Sequence, residues 1–460
     1  MKVNAKCISN GIGYGKLVYR YNDAIPFSKA SMSLEESMTL FDSISNKIES
    51  NIKDNMDYEF LSAHALIIKD PVLRKKIEDC IKEKSCSLIY AFSKVMDGFI
   101  NKIKAVDNQY LKERYLDLLD IKRQFIREID NREYEEIKEA SILVIDELLP
   151  SDVLNLNENI KGIIAHQGGY TAHSSILCRA MHIPYVILEE IKDCDYALIN
   201  KDEVYLNPTE EEMRVIHYHD EEIDYTGCDL YANLSSMYNL DKIASSNFKG
   251  IGLYRSEFLF MSHGRFLNLD EQTKIYKKIL ERMYPKTVIM RTFDFGDDKH
   301  IPGYQFEKGI NSYFKHMDFF KTQIKAMDQA NPGNLKIMFP YIKTNEEFLT
   351  LKKIVLEETK TNFPIGIMLE TKEAIENIND FKDASFFSLG TNDLLKELFD
   401  VSRSVIDIEE YIEPLKEKLI PVVEFAKENK KPLCVCGEMA SINKAVKDFK
   451  EIGIEKFSIN

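Results

Sequence analysis

No apolar run in this chain of 460 residues approaches the roughly eighteen that cross a membrane. The amino terminus, Met-Lys-Val-Asn-Ala-Lys, has no apolar signal segment. The eight cysteines (7, 80, 86, 178, 194, 228, 434 and 436) show no even framework spacing. These absences together point to a reduced, cytoplasmic protein. Cys434 and Cys436 form Cys-x-Cys inside an apolar strand with no second pair at finger spacing, which argues against a zinc site. Basic residues are short too. The 61 Lys and Arg stand against 75 Asp and Glu, a net charge of −14, the wrong sign for a chain whose main partner is a nucleic-acid backbone. Glycine is missing from residues 33–138 apart from Gly98, so that block holds no Gly-rich nucleotide loop.

What is present divides into blocks. The length suggests about three domains of about 100–200 residues each. Residues 3–20 alternate as strands, with Gly11, Gly13 and Gly15 expected at tight turns between them. From about Ser33 to Lys138 apolar residues recur at three and four through Leu34, Met38, Leu40, Ile44 and Ile48, and again through Phe60, Leu61, Leu66 and Ile67. That spacing predicts a bundle of about four helices. Residues 141–149 and 161–166 read as buried parallel strands, with a short helix starting at Ser151 between them. The expected organisation is an α/β domain from residues 1–20 plus 141–207, interrupted by a helical domain at 21–140 and followed by a short linker at 208–228.

From Asp229 onward eight short apolar runs alternate with helical segments: 230–233, 250–256, 288–294, 336–342, 364–370, 386–392, 432–439 and 456–460. Strict alternation of this kind predicts a (β/α)8 TIM-type barrel over residues 229–460, whose site lies at the carboxyl ends of the strands. Arg255, Arg291, Glu370, Asn392, Asp393, Cys436 and Glu438 all fall there. One such residue alone is better explained as a rim salt bridge; seven together are not.

The stretch Gly162–Leu188 organises the rest. An apolar strand runs into Gly168 and Gly169, and an amphipathic helix through Ile176, Leu177 and Ala180 begins at His173 and ends before Pro184. Backbone N–H groups at a helix start favour an anion, and a histidine there can carry a phosphoryl group. Thr171 offers a hydroxyl to orient the ring.

This stretch resembles the phosphohistidine segment of the phosphoenolpyruvate (PEP)-utilising enzymes, Gly-Gly-x-Thr-Ser-His-x-Ala-Ile-x-Ala-Arg, and within them is most similar to Enzyme I of the bacterial sugar phosphotransferase system. The match holds at Gly168, Gly169, Thr171, His173, Ile176 and Arg179 and departs at Ala172, where the family has serine, and at Tyr170, where Enzyme I usually has arginine. Gly252-Leu-Tyr-Arg-Ser-Glu-Phe258 and Arg291-Thr-Phe-Asp294, followed by Gly296, Asp298 and Lys299, resemble family segments as well. The resemblance implies a phosphate clamp from Arg255 and Arg291 with Lys299, and two Mg²⁺ carboxylates from Glu370 and Asp393. It implies substrate contacts from Asn392 and Arg403, and a proton donor at Cys436 in Cys-Gly-Glu-Met-Ala. A thiol of ordinary pKa, about 8.5, already holds its proton at neutral pH.

The family's helical unit docks the small phosphocarrier HPr. His64, Leu66 and Asp70, and the Tyr110–Arg114 phrase, match that unit. The expected activity is therefore transfer from PEP to His173 and on to a histidine of an HPr-like carrier, with pyruvate released, by a swivelling histidine domain. Two other readings stay open: a weakened relative that binds PEP or carrier for regulation, and a relative of pyruvate phosphate dikinase or PEP synthase, which needs an ATP-binding domain not evident here. No arginine occurs between Arg291 and Arg403, where the family carries Asn-Pro-x-Leu-Gly-x-Arg-x-Ile-Arg. Lys308 or Lys315 is the available point charge. Asn460 falls on the eighth strand, so the barrel is expected to lack its last helix and to form a homodimer through the uncovered flank.

Overall fold

The computed structural model describes residues 1–20, 25–54, 64, 66–106, 115–130, 137–154, 156–157, 159–169, 172–181, 183–191, 194–213, 223–235, 237–296, 301, 303–401 and 408–459. It separates into two compact units, Met1–Ile216 and His217–Asn460.

In the first unit, β1 (Lys2–Asn4), β2 (Lys6–Ser9), β3 (Ile12–Arg20), β4 (Ser141–Glu147), β5 (Ile160–Gln167), β6 (Tyr185–Ile187), β7 (Tyr196–Asn200) and β8 (Glu203–Leu206) form one sheet, ordered β1-β8-β7-β3-β4-β5-β6-β2. Strands β3 to β6 run parallel, and β7 and β2 are antiparallel additions. The centre of β4 is an unbroken apolar run because both faces are covered. Leu143 and Ile145 pack into the cluster that includes the helical residues Phe41, Phe92 and Phe125, while Ile142 and Val144 join Ile199, Val204 and Leu206 on the other face. The expected turns at Gly13 and Gly15 are not there. Both lie inside β3, where a Cβ would stand 2.0 Å from the Lys161 carbonyl oxygen or 2.5 Å from the Ser141 nitrogen. These glycines permit close backbone approach, a need that composition alone does not distinguish from a turn.

The excursion between β3 and β4 contains α1 (Leu34–Asp54), α2 (Pro71–Lys84), α3 (Leu88–Lys104) and α4 (Tyr115–Asp130). Phe92 and Phe125 stack with centroids 3.8 Å apart at its core. Asp70 accepts the Val72 N–H at 2.7 Å and caps α2, whose first residue is Pro71, a helix-start arrangement that suits both residues. Leu66 does not join the apolar stripe; it is 76% exposed. His64 is fully buried, its ring nitrogens 3.8 Å from Asp117 and 3.9 Å from Asp120. Beside it Arg123 of α4 pairs with Asp152 of α5 (Pro150–Leu154), tying the helical excursion to the sheet's own helices. The Tyr110–Arg114 phrase lies outside the described residues.

In the second unit β9 (Asp229–Leu234), β10 (Gly250–Arg255), β11 (Thr287–Arg291), β12 (Leu335–Phe339), β13 (Ile365–Leu369), β14 (Phe387–Gly390), β15 (Leu433–Cys436) and β16 (Lys456–Ile459) close into a barrel, β16 pairing with β9. Every pairing is parallel. Leu253, Ile289, Met338, Met368, Phe386 and Cys436 form one buried cluster, a packed interior rather than a pore. Most of the strands, β10 to β15, end earlier than the apolar runs suggest. Asn392 and Asp393 sit in the first turn of α7 (Thr391–Phe399), not on β14. No helix of the described residues is long and apolar enough to cross a membrane.

Candidate active site at the barrel mouth and the histidine segment

Arg255 and Arg291 end adjacent strands and are register partners across β10 and β11. Two guanidinium groups so close repel unless an anion lies between them, and Glu257 supplies one. Its side chain is fully buried and accepts from Arg255 Nε at 3.3 Å and from Arg291 Nη2 at 2.6 Å. Asp294 lies 2.9 Å from the same Nη2. Burial opposes the charge on Arg291, but Asp294, Glu257, Glu370 and Asp393 outweigh it and hold the group firmly cationic. Arg291 Nε has no hydrogen-bond partner among the described residues, which leaves a buried donor for an incoming oxygen. Ser256 Oγ donates to the Arg291 carbonyl at 2.7 Å, and Gln323 Nε2 donates to Ser256 Oγ at 2.9 Å, fixing the strand end from behind.

Across the mouth, Glu370 follows β13 and is 2% exposed. Its Oε1 accepts the Tyr341 N–H at 2.6 Å. Burial, with Asp393 and Asp294 adding to it, pushes this carboxyl up to about 8. Acidic groups gathered at one mouth, with hard oxygen donors, suit a divalent cation that keeps its remaining positions for water and substrate. Glu370 and Asp393 thus fit the Mg²⁺ that the resemblance implies. No group of three or more acidic, His or Cys ligands occurs among the described residues.

Cys436 ends β15, opposite Gly390 in the β14 register. It is 2% exposed, and its thiol donates to the Leu389 carbonyl at 3.1 Å and lies 3.5 Å from Ser388 Oγ. Burial pushes it up to about 11, so it carries its proton throughout the neutral range. The next residue, Gly437, has φ +93°, and a Cβ there would stand 2.4 Å from Thr391 Oγ1 and 2.7 Å from Asn392 Oδ1. Only glycine lets the chain turn this close to α7. Asn392 Oδ1 accepts the Glu438 N–H at 2.9 Å.

Arg255, Arg291, Glu370, Asn392, Asp393 and Cys436 are thus all at the carboxyl ends of the barrel strands. Lys299, Arg403 and Thr171 lie outside the described residues. Glu257 and Tyr341 were not singled out from sequence. Glu257, two residues from Arg255 and ahead of an apolar helix, gave a weak signal; Tyr341, at φ +48°, gave none.

In the first unit His173 is the first residue of α6 (His173–Ala180). A Cβ on Gly168 would lie 2.5 Å from Tyr185 Oη, so the loop before α6 runs against β6. Ser175 Oγ donates to the Gly169 carbonyl at 2.6 Å. Ala172 occupies the N-cap without a side-chain hydrogen bond, so the first turn's N–H groups receive no cap from it. Ile176, Leu177 and Cys178 anchor the helix in the core.

Three family models match the chain: PEP-utilising enzyme, N-terminal, over residues 5–114; PEP-utilising enzyme, mobile domain, over 137–209; and PEP-utilising enzyme, PEP-binding domain, over 210–460. Among curated proteins, the phosphoenolpyruvate-protein phosphotransferase of Staphylococcus epidermidis is 29% identical over 497 residues, covering 96% of this chain and 85% of that one. The protein of the same name from Priestia megaterium is 28% identical, covering 98% and 90%. That from a Bacillus species is 30% identical, covering 87% and 78%.

Proposed function

This chain belongs to the PEP-utilising enzymes, and from that premise we propose that it moves the phosphoryl group of PEP to His173 and on to a histidine of a small HPr-like carrier, releasing pyruvate as the first step of sugar uptake. The observation that carries this reading is the buried, protonated Cys436 thiol sharing one barrel mouth with two arginines and an acidic pair.

In the first step a ring nitrogen of His173 attacks phosphorus, the bond from phosphorus to the bridging oxygen breaks, and the electron pair leaves as the enolate of pyruvate. The enolate carbon then takes the proton of Cys436 Sγ, and the thiolate is reprotonated from water. Arg255 and Arg291 hold the phosphoryl oxygens, with Lys299 joining them; Asn392 and Arg403 hold the substrate carboxylate. Glu370 and Asp393 would hold Mg²⁺, which would supply positive charge to offset that of the substrate's oxygens. The N-terminus of α6 then favours the phosphoryl group on its first residue. The helical excursion between β3 and β4 is the docking surface for the carrier.

Mixing the protein with PEP and Mg²⁺, without carrier, is expected to release a burst of about one pyruvate per chain and then stall. Coupled oxidation of NADH by lactate dehydrogenase reads it. The absence of arginine between residues 291 and 403 favours the second reading, a PEP-binding regulator. PEP binding with no pyruvate burst selects that reading and rejects the first.

A further inference from the structure

Among the described residues of the barrel mouth, acidic groups outnumber the two arginines. Glu257, Asp294, Glu370 and Asp393 all act on Arg291, and both arginines already share Glu257. A substrate bearing a phosphate and a carboxylate adds further negative charge. We propose that Lys308 is a further cation of this site, beside Arg255 and Arg291, and contacts the phosphoryl oxygens of the substrate, an inference that rests on the PEP reading above.

Position supports it. The Lys308 ammonium lies 5.1 Å from the centroid of the Tyr341 ring. Tyr341 is the residue whose N–H donates to Glu370, and its hydroxyl is held by Glu397 at 2.5 Å. On the other side, the Lys308 stem lies 3.4 Å from where a Cβ on Gly296 would be, two residues past Asp294 of the Arg291 cluster. Lys308 therefore lies against Tyr341, whose backbone is bonded to Glu370, and against Gly296, two residues past Asp294.

The alternatives are already engaged. Lys315 pairs with Glu307 at 3.5 Å and Lys343 with Glu373 at 3.4 Å. Lys308 is half-buried and has no ion pair with a carboxylate among the described residues. The aromatic face attracts its ammonium without accepting any of the three N–H donors in a conventional hydrogen bond. Lysine binds phosphate as a point charge, without the arginine fork, so an arginine at this position should serve at least as well.

The test is calorimetric titration of the full chain with Mg²⁺ and two probes, PEP and oxalate, the latter matching the enolate's oxygens but lacking phosphate. Lys308→Met is expected to weaken PEP binding about 10- to 100-fold, the scale of one charge-assisted hydrogen bond, and to leave oxalate binding unchanged. Lys308→Arg should restore PEP binding. Lys315→Met should stay within about twofold of wild type, because an exposed ion pair contributes little. Unchanged PEP affinity in Lys308→Met, or equal weakening toward both probes, overturns the proposal. A wild-type chain that binds PEP without forming pyruvate leaves the Lys308 comparison readable while rejecting turnover. A wild-type chain that binds no PEP rejects both.

Discussion

Cys436→Ala is expected to slow pyruvate formation by about 10²–10⁴-fold, the range in which a positioned general acid acts, while leaving PEP binding intact. The thiol lies at the end of β15, 2% exposed, donating to Leu389, and burial pushes it up to about 11. Near pH 7.5 it is therefore almost wholly the acid form, available to an enolate formed at the barrel mouth. Alanine removes the proton and leaves a small cavity, whose cost of about 1 kcal/mol is too small to unfold a barrel. Cys434, two residues earlier on the same strand, is also buried and also held protonated by burial. Cys434→Ala should keep its turnover. Rapid-quench measurement of pyruvate separates the two, and a Cys436→Ala rate within about fivefold of wild type would remove the thiol from the chemistry.

The second large effect is on stability. Arg291→Met should destabilise the barrel by about 3–5 kcal/mol, because it strands a buried partner rather than merely losing an attraction. Glu257 is fully buried and takes the 2.6 Å contact from Arg291 Nη2, while Asp294 takes the 2.9 Å one. Arg255, 3.3 Å from Glu257, cannot compensate alone. Pairing the change with Glu257→Gln should recover part of the lost stability, because the stranded charge is removed as well. It should recover none of the PEP affinity. Arg291→Lys should fold better than Arg291→Met yet still bind PEP poorly, since an ammonium cannot span two partners and a phosphate as a planar fork does. Denaturant unfolding can be followed by tyrosine emission, because the chain has no tryptophan to mask it. An Arg291→Met barrel as stable as wild type would contradict the burial argument.

The order of strands and helices was legible because it is written in short-range pattern. Runs such as Val288-Ile289-Met290 and Ile337-Met338-Phe339 are strands buried on both faces, and the polar residues that follow such runs sit at the barrel mouth because parallel strands all end on one side. What depends on distant neighbours was not legible. Gly13 and Gly15 looked like turn residues, but β5 and the start of β4 are what require them to be small. Asn392 and Asp393 looked like the end of a strand; they begin a helix, since pairing with β15 stops at Gly390. Leu66 fits a helical stripe by spacing and yet faces water. Glu257 and Tyr341 acquire their roles only when separate strands bring Arg291 and Glu370 to them. Lys308 and Lys315 are equivalent as letters, and their partners alone distinguish them.

Phosphorus is expected to travel from PEP to one imidazole. That transfer is tested most directly by incubating the chain with Mg²⁺ and PEP labelled at phosphorus, then locating the label by peptide mass spectrometry at alkaline pH, where phosphohistidine survives. The expected result is label on the peptide that starts α6, at His173, base-stable and acid-labile, and absent from a His173→Ala chain that still binds PEP. Label on any other residue, or none on a chain that binds PEP, contradicts the account.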